Sequence, residues 1–155
     1  MNDAVAQLEA SLQEELGLIQ EFNTVLEAEA EALTAGNDDA LAASTARKNQ
    51  YAERLAEAGR RRNGLLGRLG YEPDQPGLDA ACAAHPSLRA GSRALLDEAR
   101  RGRDLNTANG ILIDTFLAHN QQTLDALRQL AGIGDLYDAK GRSRSSTGKT
   151  RNIKA

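Results

Sequence analysis

Residues 104–130 read DLNTANGILIDTFLAHNQQTLDALRQL, an amphipathic helical repeat in which asparagines occupy positions that are usually apolar. Residues spaced alternately by three and four lie on one face of a helix. Here these residues are Asn106, Asn109, Ile113, Phe116, Asn120, Thr123, Leu127 and Leu130. The stripe predicts either asparagines that fix the register of packed helices, as buried polar residues do in coiled coils, or a face for an exchangeable partner. If Asn106 and Asn109 only fix register, leucine at both positions should keep or raise stability.

Two helices are predicted before this stretch. Apolar residues follow helical spacing over about residues 3–35, and Gly36 is placed to end that helix in the left-handed conformation. A second helix is predicted to start after Asn37 and Asp38, either of which can cap its first turn, and to stop at Gly70. The chain therefore begins with two helices joined by a very short turn.

The third helix is predicted to be longer than its neighbours. After a loop with two prolines and a short helical segment over residues 78–84, helical spacing continues from Leu88 to Leu130. At the standard rise this helix is roughly 65 Å long, against about 50 Å for each of the first two. We therefore expect it to overhang or bend, and a break would cost least at Gly102 or Gly110.

Charge is divided unequally between the first two helices. The first contains no Lys or Arg, whereas the second is basic. A short turn makes neighbouring helices antiparallel, which brings residues 60–68 beside Glu9, Glu14 and Glu15. These pairs would select the direction of packing and leave most of the stability to the leucines. Because acidic side chains are available to the basic run, it does not predict binding to nucleic acid.

The predicted fold is all-α: an elongated antiparallel bundle of three long helices, or four if the third is broken near Gly102. A high content of Leu, Ala, Glu and Arg is typical of long helices. The helical bundle domain is predicted to span residues 1–131. Residues 132–155 are rich in Gly, Ser, Thr and basic residues, and predict a disordered, flexible basic tail. The Gly148-Lys149-Thr150 triplet in this tail lacks the earlier glycine, the strand and the helix of a phosphate-binding loop.

No catalytic or cofactor site is predicted. His85, His119 and the single cysteine, Cys82, are not spaced with acidic residues as metal ligands are, and no nucleophile motif occurs. We therefore predict a protein that is not an enzyme and has no metal, cofactor or small-molecule substrate. The sequence predicts no signal peptide and no membrane span, and its one cysteine fits a reducing cytoplasm.

Four segments towards the carboxy terminus form a distinctive series. They are Asp104-Leu105-Asn106, then Asn109-Gly110 with Leu112, then Asn120-Gln121-Gln122 with Leu124 and Leu127, and finally Leu136-Tyr137-Asp138-Ala139-Lys140-Gly141. This series resembles the flagella synthesis protein FlgN family, whose members are small cytoplasmic type III export chaperones. The resemblance implies a chaperone that binds the terminal amphipathic helices of hook-filament junction proteins (hook-associated proteins 1 and 3). It further implies that the chaperone prevents their premature association and delivers them to the export gate at the membrane.

Client binding is expected on the third helix. The resemblance places it in the carboxy-terminal part of the chain, where the predicted overhang would leave leucines without cover. The expected client-binding residues are Asn106, Asn109, Ile113, Phe116, Leu117, Asn120, Leu124, Leu127 and Leu130. The resemblance also implies that Tyr137 contacts the export gate. Two alternatives remain open: a general coiled-coil adaptor or scaffold protein without an export role, and a protein whose basic tail docks on nucleic acid or anionic lipid.

Overall fold

The computed structural model describes residues 2–131, and it describes their side chains except at positions 2, 120, 123, 124, 130 and 131. The helices are α1 (Asn2–Ala35), α2 (Asp38–Arg68), α3 (Gln75–Ala84) and α4 (Arg89–Ala131), with a 3₁₀ turn at Pro86–Leu88. There is no strand between residues 2 and 131. The predicted all-α class is confirmed, and the predicted basic tail over residues 132–155 lies outside the described residues.

The ends of the first helices are set by local chemistry. Gly36 has a φ of +66° and ends α1, as predicted. Asn37 caps α2, since its side-chain oxygen accepts a hydrogen bond from the backbone N–H of Ala40 at 3.0 Å. Gly70, with a φ of +88°, follows the end of α2. The boundaries of α1 and α2 are therefore those that the sequence predicts to within one or two residues.

The predicted short segment and the predicted long helix are both present. The short segment, α3, begins three residues earlier than predicted because Asp74 caps it, accepting a hydrogen bond from the N–H of Gly77 at 2.8 Å. The long helix, α4, has 43 residues, against 34 in α1 and 31 in α2. It continues through Gly102 without the break that the sequence left open.

The chain divides into two compact units within α4, the first ending at Leu112 and the second beginning at Ile113. The first unit contains α1, α2, α3 and the amino-terminal part of α4. As far as it is described, the second unit is the remainder of α4, residues 113–131.

Ion pairs and close approaches give the helix directions within the first unit. Glu15 pairs with Arg62, and Glu29 with Lys48, so α1 and α2 are antiparallel. A Cβ atom placed on Gly91 would lie 3.5 Å from that of Leu12, and further along both helices Glu27 pairs with Arg101. Therefore α4 runs parallel to α1 and antiparallel to α2, the up-down-up arrangement of a three-helix antiparallel bundle. Its buried core contains Leu8, Leu12, Leu65, Leu66, Leu78, Ala81, Leu88 and Leu95.

Two of the three acidic residues that were predicted to lie beside residues 60–68, Glu14 and Glu15, form ion pairs with α2. Arg61 contacts Glu14, and Arg62 Nη1 lies 2.6 Å from Glu15 Oε2. The first pair is exposed and contributes at most about 1 kcal/mol, whereas the second is largely buried.

Within the first unit, one position of the predicted stripe on α4 does not face the core. Asn106 is exposed, and the neighbouring Leu105 is partly buried, while Gly102 and Asn109 are buried on either side of them. A helix with 3.6 residues per turn drifts by about 20° per seven residues from a strict three-four repeat. Either Leu105 or Asn106 can then face the core. Leu105 is favoured there, because burial of an asparagine side chain without a hydrogen-bond partner is costly.

Candidate functional site

Asn109 joins three helices through a buried polar network. Its side chain is 1% exposed, and its amide nitrogen donates to the backbone oxygen of Leu26 and to Oε1 of Glu29, each at 2.8 Å. The Glu29 carboxylate is also buried and accepts from Lys48 Nζ at 3.4 Å. An amide of α4, a carboxylate of α1 and an ammonium of α2 therefore meet at one point. Because such a network is satisfied only in one alignment, it fixes the register of the three helices.

A second buried asparagine lies on α1. The side-chain nitrogen of Asn23 donates to the backbone oxygen and to the carboxylate of Glu98, each at 3.0 Å. Its side-chain oxygen lies against Gly102, where an added Cβ atom would approach it to 2.6 Å. Gly102 therefore permits a close approach of α4 to α1 rather than a break in the helix.

Glu15 is another buried polar residue that faces a neighbouring helix. It is 7% exposed, and only one of its carboxylate oxygens is bonded, to Arg62; the other is buried without a hydrogen-bond partner. Burial raises the pKa of Glu15, and the charge and hydrogen bond of Arg62 partly oppose this effect.

Sequence reasoning placed Glu15 beside the basic residues of α2 but did not predict that it is buried, and it missed Asn23 and Glu29. For the two glutamates a signal was available. Glu15 and Glu29 fall on the same three-four repeat as Leu8, Leu12, Ile19, Leu26 and Leu33. The apolar neighbours Leu16 and Ala30 fit helical spacing as well, and an apolar residue is expected in the core before an acidic one, because acidic residues are rarely buried. Asn23 gave no comparable signal, since the apolar Phe22 occupies the repeat position beside it.

Exposed large hydrophobic side chains are concentrated on one part of α4. In the described part of the chain they are Ile111, Leu112, Leu117 and Leu127, with exposed fractions of 62, 38, 59 and 53%. Scattered exposed leucines are normal on a soluble domain. Of these four residues, Leu117 and Leu127 lie on the same side of α4, about 80° apart around its axis.

The predicted client-binding residues differ in their exposure. Leu117 and Asn106 are exposed, as is Leu127, and Ile113 and Phe116 are half-buried. Asn109 is buried, and its amide is used within the bundle. The side chains of Asn120, Leu124 and Leu130 are not among those described, and Tyr137 lies outside the described residues.

Residues 2–131 contain no group of three or more His, Cys, Asp or Glu side chains that could hold a metal ion. Over the same part of the chain, no helix combines the length and the apolar character that crossing a bilayer requires.

Comparison with known proteins gives one match. The model of a protein family described as FlgN protein matches residues 1–145. No curated protein and no solved structure matches the chain.

Proposed function

Since the chain belongs to the FlgN family of flagellar export chaperones, we propose that it binds the terminal amphipathic helices of hook-filament junction proteins, hook-associated proteins 1 and 3. Acting in the cytoplasm, it prevents their premature association and delivers them to the flagellar type III export gate. Chaperones of this family are not enzymes, and binding alone accounts for the proposed role.

The observation that carries the proposal is the exposed apolar surface of α4. Leu117 and Leu127 are both more than half exposed, and at 3.6 residues per turn they lie about 80° apart around the helix axis. Ile113 and Phe116, which are half-buried, fall within or beside the same sector. Burial of an exposed leucine side chain contributes about 1.5–3 kcal/mol. An amphipathic client helix laid along this sector would supply that burial.

Each predicted residue has a defined part in this proposal. The direct contacts are Ile113, Phe116, Leu117, Asn120, Leu124, Leu127 and Leu130, with Asn106 at the edge of the surface. Asn109 acts indirectly, because its buried hydrogen bonds hold the part of α4 that immediately precedes these residues. Tyr137 contacts the export gate.

A double substitution of the exposed leucines tests the proposal. Leu117→Ser with Leu127→Ser should weaken binding to a terminal segment of a junction protein at least about 100-fold, measured by isothermal titration calorimetry. The melting temperature should change by less than about 2 °C, since both side chains are exposed in the free protein.

Ile111→Ser is the matched control. Ile111 is an exposed aliphatic residue on the same helix, but it lies more than about 100° away from both leucines around the axis. It should leave the affinity unchanged. Equal loss of binding in the control, or a large drop in melting temperature in the double variant, would contradict the proposed surface. Equally tight binding of unrelated amphipathic helices would favour the general coiled-coil adaptor.

A substitution of Tyr137 tests the proposed contact with the export gate. Tyr137→Ala should retain client binding in calorimetry and reduce the amount of junction protein exported by cells. A loss of client binding in this variant would instead place Tyr137 in the client surface.

A further inference from the structure

A small, largely apolar cavity lies at the start of α3, where this helix meets α1, α2 and α4. Its volume is about 170 Å³, and six of the eleven residues that line it are aliphatic. The six are Ile19, Leu55, Leu78, Leu95, Leu96 and Ala99. None of the lining residues belongs to the proposed client surface.

The cavity has a buried apolar side and a side that is accessible from solvent. Leu78 and Leu95 are buried, whereas Ile19, Leu55, Leu96 and Ala99 are partly exposed. From α4 the lining also includes the small residues Ser92 and Ala99, at positions where larger side chains would occupy the space. A small molecule or a side chain of another protein can therefore reach the aliphatic groups.

The polar residues of the lining direct their hydrogen bonds to other groups of the protein. Arg62 Nη1 donates to Glu15 Oε2 at 2.6 Å, and Asp74 Oδ1 accepts from the backbone N–H of Gly77 at 2.8 Å. Glu15 Oε1 has essentially no accessible surface, so it offers no acceptor to a bound molecule. A bound water needs about two to four polar partners, and the lining leaves few of them.

We propose that this cavity binds a single apolar ring of about six carbon atoms. A cavity of about 150 Å³ lined by aliphatic and aromatic side chains stays dry and binds benzene, and the volume here is similar. The ring packs against Leu78 and Leu95 on the buried side and against Ile19 and Leu55 beside them. Such a ligand is favoured over water, because burial of apolar surface is favourable without any hydrogen-bond partner.

Titration of the full-length protein with benzene tests this proposal. Amide signals of the residues that line the cavity should shift saturably in ¹H–¹⁵N nuclear magnetic resonance spectra. Pyrazine is the matched control ligand, because it has the same ring shape but carries two nitrogen atoms that would be buried without donors. It should bind at least tenfold more weakly. An equal response to pyrazine, or shifts that do not saturate, would overturn the proposal without the use of any variant.

Two substitutions of alanine in α4 locate the site. Ala99→Leu places a larger side chain in the cavity and should abolish the saturable shifts. Ala108→Leu makes the same change at an exposed position of α4 outside the lining, and should leave the affinity for benzene unchanged. A folded Ala99→Leu protein that binds benzene as tightly as the wild type would contradict the site.

The double variant of the client surface excludes binding of the ring elsewhere on α4. Leu117→Ser with Leu127→Ser should bind benzene with unchanged affinity, since neither leucine lines the cavity. Loss of benzene binding in this variant would place the ring on the client surface and overturn the proposal. The client-binding experiment replaces no residue of the lining, so failure of either experiment leaves the other unaffected.

A further arm distinguishes the source of the ring. N-acetyl-phenylalanine amide carries the same ring on a peptide unit, so saturable shifts of the same amide signals would identify an aromatic side chain of another protein as an occupant. Binding of benzene alone would identify a free small molecule.

Discussion

Replacement of Asn109 by leucine should destabilise the bundle, although the same substitution would be neutral or favourable if the asparagine only fixed register. The variant loses two hydrogen bonds of 2.8 Å, one to a backbone oxygen and one to the buried Glu29 carboxylate. In the variant, Glu29 Oε1 keeps only the longer hydrogen bond from Lys48 Nζ, at 3.4 Å. The two bonds together contribute about 2–4.5 kcal/mol, since the one to the carboxylate is charge-assisted. Burial of leucine offsets about 1.5 kcal/mol, so the net loss is about 0.5–3 kcal/mol.

Urea unfolding followed by circular dichroism measures this loss, and Asn106→Leu provides a matched control. Asn106 is an exposed asparagine of the same helix, so its replacement should change the free energy of unfolding by less than about 0.5 kcal/mol. A double-mutant cycle of Asn109→Leu with Glu29→Gln should give a coupling energy of at least about 1 kcal/mol. The reasoning is refuted if Asn109→Leu is as stable as the wild type, or if the control costs as much.

Two further predictions concern the first unit. Gly77→Ala should lower the melting temperature by several degrees, because its Cβ atom would lie 1.9 Å from the backbone oxygen of Glu72. Gly64→Ala is the control, because a Cβ atom on this exposed residue of α2 would meet nothing within 4 Å. It should increase the free energy of unfolding by about 0.5–1 kcal/mol. If both substitutions destabilised the protein equally, the steric explanation would be contradicted. Burial raises the pKa of Glu15 in the folded protein, so this residue contributes most to stability below its ordinary pKa of 4.5. The contribution is lost as the pH rises through the raised pKa. Glu15→Gln cannot titrate at this position, so its free energy of unfolding should increase relative to that of the wild type as the pH rises. Urea unfolding at several pH values measures this difference. If Glu15 did not contribute, the two proteins would show the same dependence on pH.

Local sequence determined the helices and the direction in which the first two pack. Gly36 and Asn37 end one helix and cap the next through interactions within a few residues, so tertiary contacts were not needed to locate that turn. The acidic first helix and basic second helix likewise specified an antiparallel pair, since only that direction brings Arg61 and Arg62 to Glu14 and Glu15. The length of α4 followed from its uninterrupted helical spacing. The helix ends depend on neighbours along the chain, which the sequence displays directly. The helix direction depends on the short turn and on the charge of each helix as a whole, which the sequence also displays.

Tertiary structure alone decided which polar residues are buried. Asn106 and Asn109 are three residues apart and occupy equivalent positions in the repeat, yet one is exposed and the other is buried. The difference is that Asn109 meets Leu26 and Glu29, more than 75 residues away along the chain. A polar side chain can be buried only where hydrogen-bond partners meet it. Because those partners lie on other helices, whose register and rotation the periodicity of one helix does not determine, the network at Asn109 is a property of the assembled bundle.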